Sequence, residues 1–183
     1  MNTKAEPRVT LVIPAFNEAD SLPELLAEAA EALAGYDWNA ILIDDGSSDG
    51  TWEAITGLAE RYPVTGLRFG ANCGKAAALS AGFLEAQGDY IATLDADLQD
   101  DPAEIPAMIE TMRSEGYGLI SGWKKVRRDP PGKRLPSRVF NRVVGITTGI
   151  HLHDFNCGLK VYTRAAAKSL DLYGEMHRYT PVL

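Results

Sequence analysis

A chain of 183 residues, 45% of them hydrophobic, suffices for one well-buried domain and falls short of two. Its formal net charge of -7 and pI near 5.0 argue against nucleic acid as a partner, because its binders are usually basic over a large face. The two cysteines, Cys73 and Cys157, are far apart and belong to no ligand spacing, so neither a disulfide framework nor a zinc site is expected.

In chain order, Arg8 to Ile13 reads as a strand. Pro14 cuts its apolar run, so it is no secretory signal. A helix near Ala19 to Leu33 follows, then a strand (Ala40 to Ile43), a helix (Thr51 to Arg61), a strand (Val64 to Phe69) and a helix (Lys75 to Ala86). A strand (Tyr90 to Leu94), a helix (Ala103 to Ser114) and a strand (Tyr117 to Ser121) continue the alternation. Beyond Gly122 it fades into a basic loop interrupted by Pro and Gly, a helix (Ser137 to Thr147) and a strand-like run (Gly158 to Tyr162). Alternation of this kind predicts an α/β, doubly wound, mostly parallel sheet with helices on both faces. No apolar run reaches the roughly 20 residues of a membrane helix, which points to a soluble, cytoplasmic chain.

Ligands of such sheets bind beyond the carboxyl ends of the strands, and the polar clusters of this chain fall there. Four carboxylates crowd TLDADLQDDP, Thr93 to Pro102, after the fourth strand. If the chain stays extended there, Asp95, Asp97 and Gln99 project to one side. Such an oxygen set suits Mg2+ or Mn2+, completed by water and substrate phosphates. The alternative is plain surface acidity, with Asp100 or Asp101 capping the helix entered at Pro102. Asp44 and Asp45 close the second strand, where carboxylates either accept hydrogen bonds from a ribose or base or belong to the turn that follows. In that turn Ser48 or Asp49 is a plausible helix cap. Gly70-x-x-x-Gly74-Lys75 is one residue short of a Walker loop, and Ala76 stands where the metal-binding hydroxyl belongs, so that site is rejected. The glycines still bring backbone close to a ligand at a helix start, with Lys75 answering negative charge. A dinucleotide G-x-G-x-x-G is absent after the first strand.

Five motifs in order carry a resemblance over nearly the whole chain: Ile13-Pro-Ala-Phe-Asn-Glu18, Ile43-Asp-Asp-Gly-Ser-Ser-Asp-Gly-Thr51, Asn72-x-Gly-Lys75, Asp95-Ala-Asp-Leu-Gln99 and Asp154-Phe-Asn-Cys-Gly-Leu-Lys160. The chain resembles the inverting, family-two glycosyltransferases of GT-A, Rossmann-like fold, and more narrowly the polyprenyl-phosphate sugar synthases such as dolichol-phosphate mannose synthase and its undecaprenyl-phosphate relatives. The resemblance implies transfer of a sugar from a GDP- or UDP-linked donor to a polyprenyl phosphate, at the cytoplasmic face of a membrane in a full-length protein. It assigns Pro14, Ala15, Glu18, Asp44, Asp45, Lys75, Asp95, Ala96 and Asp97 to the nucleotide sugar, and Asp95, Asp97 and Gln99 to the metal. Asp97, Asp154, Arg134 and Arg138 fall at the reacting centre.

Between Lys124 and Arg142 lie eight of the eighteen basic residues, against one acid, Asp129. An anionic acceptor needs local cations. By resemblance Arg127, Arg134, Ser137 and Arg138 meet its phosphate, in a basic acceptor loop over about 123 to 138; a solvated loop, or one touching lipid headgroups, is the alternative. A phosphate monoester has its second pKa near ~6, so Asp154 is expected to orient the acceptor more than deprotonate it. His151 and His153 receive no role, and Phe16, Trp38, Trp52 and Trp123 read as packing residues. Two departures stand out: Gln99-Asp-Asp-Pro102 replaces the relatives' Gln-Asp-Pro-Pro, and the chain stops at Leu183 where relatives continue. The expected organisation is therefore one catalytic domain, residues 1–183, forming an N-terminal portion of a longer chain. The alternatives are a GT-A enzyme acting on a saccharide or protein hydroxyl, or a nucleotide-sugar-binding fragment without turnover.

Overall fold

A computed structural model describes residues 7–123 and 157–183. Among them, six strands form one sheet: β1 (Arg8–Ala15), β2 (Asp37–Asp44), β3 (Val64–Arg68), β4 (Tyr90–Thr93), β5 (Leu119–Ser121) and β6 (Lys160–Thr163). Helices α1 (Leu22–Ala32), α2 (Thr51–Ala59), α3 (Lys75–Glu85), α4 (Ile105–Glu115) and α5 (Arg164–Ser169) accompany it. The order across the sheet is β3-β2-β1-β4-β6-β5. The first four strands pair in parallel, whereas β6 runs antiparallel to both β4 and β5. Periodicity marks a strand without revealing its direction, so the run expected over Gly158 to Tyr162 does form a strand, and what the alternation does not show is its antiparallel insertion between β4 and β5. The helix expected over Ser137 to Thr147 lies outside the described residues.

Alternation along the central strands divides the core between the two faces. Val9, Leu11, Ile13 and Ala15 of β1 pack with Ala40 and Leu42 of β2 against α1, α2 and α4, through Leu22, Leu25, Leu26, Ile55, Leu58, Ile105 and Ile109. Val12, Ile41 and Ile43 face the other way, onto Ala76, Leu79 and Phe83 of α3 and Ala167 of α5. Fully burying one such side chain contributes about 1.5–3 kcal/mol, so both helical layers are fastened to the same strands.

The chain moves from β1 outward to β2 and β3, then crosses back to β4 on the other flank of β1. The carboxyl ends of β1 and β4 therefore bound a topological switch point, where doubly wound sheets leave a crevice.

Candidate active site

A cleft of about 350 Å³ opens at that switch point, lined by Pro14, Ala15, Phe16, Glu18, Asp45, Asn72, Gly74, Lys75, Asp95, Ala96 and Asp97. Four loops that are remote in sequence meet there, because each follows one of the four parallel strands. Eight residues singled out for the nucleotide sugar lie on its wall: Pro14, Ala15, Glu18, Asp45, Lys75, Asp95, Ala96 and Asp97. Asp44 is not among them. Successive side chains of a strand point to opposite sides, and Asp44 is fully buried, its Oδ1 accepting from the Ser47 amide at 2.9 Å and its Oδ2 lying 3.4 Å from Arg68 Nε. Arg68 in turn stacks on Trp52 at 5.5 Å. Asp44 thus anchors the turn, and Asp45 alone of the pair reaches the cleft.

Asp45 is itself nearly buried. Its Oδ1 accepts from the Cys73 amide at 2.7 Å and its Oδ2 from the Gly74 amide at 2.9 Å. The carboxylate thereby ties the glycine loop to the end of β2. Gly74 takes φ +88° at the start of α3, a left-handed value that a side chain resists, and the helix then begins at Lys75. The glycine loop thus points Lys75 across the cleft, where its ammonium pairs with Asp95 Oδ1.

The chain does not stay extended after β4. Asp97 Oδ1 accepts from the Gln99 amide at 3.2 Å, and Leu98 adopts φ +58°. Asp100, almost wholly buried, accepts from the Asp95 amide at 3.0 Å. These local bonds replace ladder partners and fold the run into a turn. The ligand set is consequently brought together differently from the extended reading: Asp95 faces Lys75, while Asp97 and Gln99 face each other, with Gln99 Nε2 donating to Asp97 Oδ2 at 2.8 Å. Asp97 and Gln99 are exposed. Amide oxygen and nitrogen occupy the same envelope, so turning the Gln99 amide end for end would aim Oε1 at a cation held by Asp97. The donors are hard oxygens and fit a divalent ion that keeps water or phosphate ligands. Gln99 also borders a neighbouring cavity of about 480 Å³ with Met108, Ile120, Trp123, Cys157 and Leu159.

Capping follows one of the two alternatives at each helix. Asp101 Oδ1 accepts from Ala103 N at 2.9 Å, and Asp49 Oδ1 accepts from Thr51 N at 3.0 Å. The Thr51 hydroxyl, bonded to the same carboxylate, holds Asp49 below the usual carboxylate range. One aromatic assignment changes. Phe16 is 47% exposed on the cleft wall, so it does not serve mainly as packing; Trp38 and Trp52 do pack against the core. Among the cleft residues, the sequence reading gave Phe16 only packing and Asn72 no role, although both lie inside motifs. Arg127, Arg134, Ser137, Arg138 and Asp154 lie outside the described residues.

Four carboxylates and one ammonium thus line one cleft, set at the switch point of a doubly wound sheet. The fold is the GT-A type. The chain belongs to the glycosyl transferase family 2, whose model matches residues 10–171. It is 39% identical over 182 residues to dodecaprenyl-phosphate galacturonate synthase of Rhizobium johnstonii, covering 94% of this chain and 53% of that protein. It is also 39% identical over 179 residues to undecaprenyl-phosphate 4-deoxy-4-formamido-L-arabinose transferase of Pseudomonas paraeruginosa, covering 96% and 52%. The chain thus spans about half the length of these curated relatives. The fold matches the mannosyltransferase PcManGT of Pyrobaculum calidifontis, solved with GDP-Man and Mn2+, at a TM-score of 0.67 and 23% identity, over 93% of this chain and 48% of that one. Glucosyl-3-phosphoglycerate synthase of Mycobacterium tuberculosis, solved with Mn2+ and UDP-glucose, matches at a TM-score of 0.67 and 19% identity, over 91% and 59%. No helix among the described residues is long and apolar enough to cross a membrane.

Proposed function

We propose that this chain is the donor-binding and catalytic part of an enzyme that transfers a sugar, with inversion, from a GDP- or UDP-linked donor to a polyprenyl phosphate at the cytoplasmic face of a membrane. The observation that carries the reading is the cleft itself: Asp45, Lys75, Asp95 and Asp97 converge there from three different loops. Relatives that share more than a third of its residues are named for polyprenyl-phosphate transfer.

In this reading Pro14, Ala15, Phe16 and Asp45 receive the nucleoside, and Lys75 answers the diphosphate. Asp97 and Gln99, with the second oxygen of Asp95, would hold Mg2+ or Mn2+. When bound, the ion supplies charge neutralisation to the departing nucleoside diphosphate. Arg134, Arg138, Arg127 and Ser137 meet the acceptor phosphate; arginine suits it through paired N–H donors. The phosphate is largely dianionic at neutral pH, given a second pKa of ~6, and so is its own nucleophile. Asp154 then orients it. The C–O bond to the new phosphate forms as the C–O bond to the diphosphate breaks.

Titration calorimetry with UDP- and GDP-sugars, in Mn2+ and in EDTA, tests donor binding. Measurable affinity in Mn2+ that collapses in EDTA is the expected result; equal affinity in both removes the metal from the reading. In the full-length protein, charge reversal at Arg134 or Arg138 should impair transfer to a polyprenyl phosphate with donor affinity nearly unchanged. Asp154→Asn should lose less than the ~100-fold to ~10,000-fold typical of a lost general base in single-turnover transfer. Complete loss with both substrates still bound points instead to a hydroxyl acceptor.

A further inference from the structure

We propose that Gly158, far from the donor loops in sequence, is a positioning residue for the Asp95 carboxylate and hence for the donor site; the inference rests on the function proposed above. Three observations on the geometry support it.

The first is the reason a glycine stands there. The backbone of Gly158 lies outside the left-handed region, so conformation does not demand glycine; space does. A β-carbon at 158 would fall 2.5 Å from Asp100 Oδ2 and closer still to Asp95 Cγ and Oδ1, well within the 3.0 Å that real β-carbons essentially never breach. The atoms it meets first are those of the carboxylate that pairs with Lys75.

The second is that the backbone cannot withdraw. The Gly158 carbonyl accepts from Thr93 Oγ1 at 2.7 Å, within the buried end of β4. One residue on, the Leu159 carbonyl accepts from the Gly122 amide at 2.9 Å. Both bonds fasten this segment to the sheet.

The third is that Asp95 is also held, by the Asp100 carboxylate on its amide at 3.0 Å and by the Lys75 ammonium on its Oδ1. Its side chain is short, with a single rotatable bond before the carboxyl carbon. Any side chain at 158 must therefore rotate the Asp95 carboxylate off its rotamer, taking Lys75 from its place or leaving it unpaired in the cleft. Gly158 so reaches the cleft through its contact with Asp95.

The test is a double-variant cycle on Gly158→Ala and Asp95→Ala in the full chain, read by titration with Mn2+–UDP and Mn2+–GDP and by thermal unfolding. Gly158→Ala should weaken the Mn2+-dependent affinity by about 10-fold to 100-fold, the range for residues that orient ligand side chains. In the Asp95→Ala background, which lacks both atoms met first, Gly158→Ala should weaken binding no further and lower Tm less. Unchanged nucleotide affinity in Gly158→Ala, or additive losses in the pair, overturns the proposal in favour of a merely structural glycine. Should Gly158→Ala alone fail to fold, recovery of a cooperative transition in the double variant supports it and an unfolded double variant refutes it. A wild-type chain that binds neither nucleotide takes down the function proposed above, and this inference with it; a wild type that binds, beside a variant that binds equally, takes down this inference alone.

Discussion

Asp45 and Asp97 are both carboxylates on the cleft, yet their surroundings give them different work. Asp45 is buried and receives two backbone amides of the glycine loop. Asp45→Ala leaves those amides without an acceptor and should cost about 1.5–3 kcal/mol, seen as a lower urea midpoint, along with weaker nucleotide binding in the surviving folded protein. Asp97 is exposed and, among the described residues, its hydrogen bonds stay within its own turn. Asp97→Ala should therefore change stability by no more than about 0.5 kcal/mol while removing the Mn2+-dependent part of donor affinity. If calorimetry finds that dependence intact in a folded Asp97→Ala, the ligand assignment is wrong. Phe16, half exposed on the cleft wall, belongs with Asp97. Its replacement by Ala should spare the fold and weaken nucleotide binding by about 1 kcal/mol, a usual value for a lost aromatic contact.

At the scale of elements, two loops of the site are held by the starts of helices. Asp101 caps the turn Pro102–Glu104, from which α4 continues. Asp101→Ala should destabilise by about 1 kcal/mol, measurable as a lower Tm. Because Asp101 adjoins the turn that presents Asp97 and Gln99, donor affinity should fall slightly as well, whereas a cap remote from the cleft would leave it unmoved. Asp49 ties a second junction: it bonds Thr51 at the start of α2, and Thr51 Oγ1 accepts from the Glu18 amide at 2.8 Å. The loop after β1 is thus fastened to the helix after β2, and Glu18 is kept on the cleft wall by a neighbouring element's first residue.

For the whole molecule, the antiparallel strand β6 lies between β4 and β5 and carries a buried tyrosine across to the C-terminal segment. Tyr162 packs edge-on to Phe83 at 5.3 Å and donates to Thr180 Oγ1 at 3.2 Å. Burial pushes its hydroxyl far above the ordinary value of 10.0. Below pH about 10 both folded and unfolded chains keep this proton; above it the unfolded chain releases the proton first, so stability falls as pH rises. Tyr162→Phe should cost about 1 kcal/mol near neutrality through the lost hydrogen bond, and its urea midpoint should decline less steeply than the wild type's between pH about 9 and about 11. Parallel declines would show that Tyr162 is not the titrating group. Much of this architecture was legible beforehand, because apolar periodicity and glycine-marked turns report local conformation: the places of the six strands among the described residues, the helices between the first five and the loops bearing Pro14, Asp45, Lys75, Asp95 and Asp97 follow from the order of residues alone. The direction of β6, the burial of Asp44 against Arg68, the exposure of Phe16 and the contact of Gly158 with Asp95 do not follow from that order. Each depends on which segments, remote along the chain, come to lie within a few ångströms of one another, and only the packed sheet decides that.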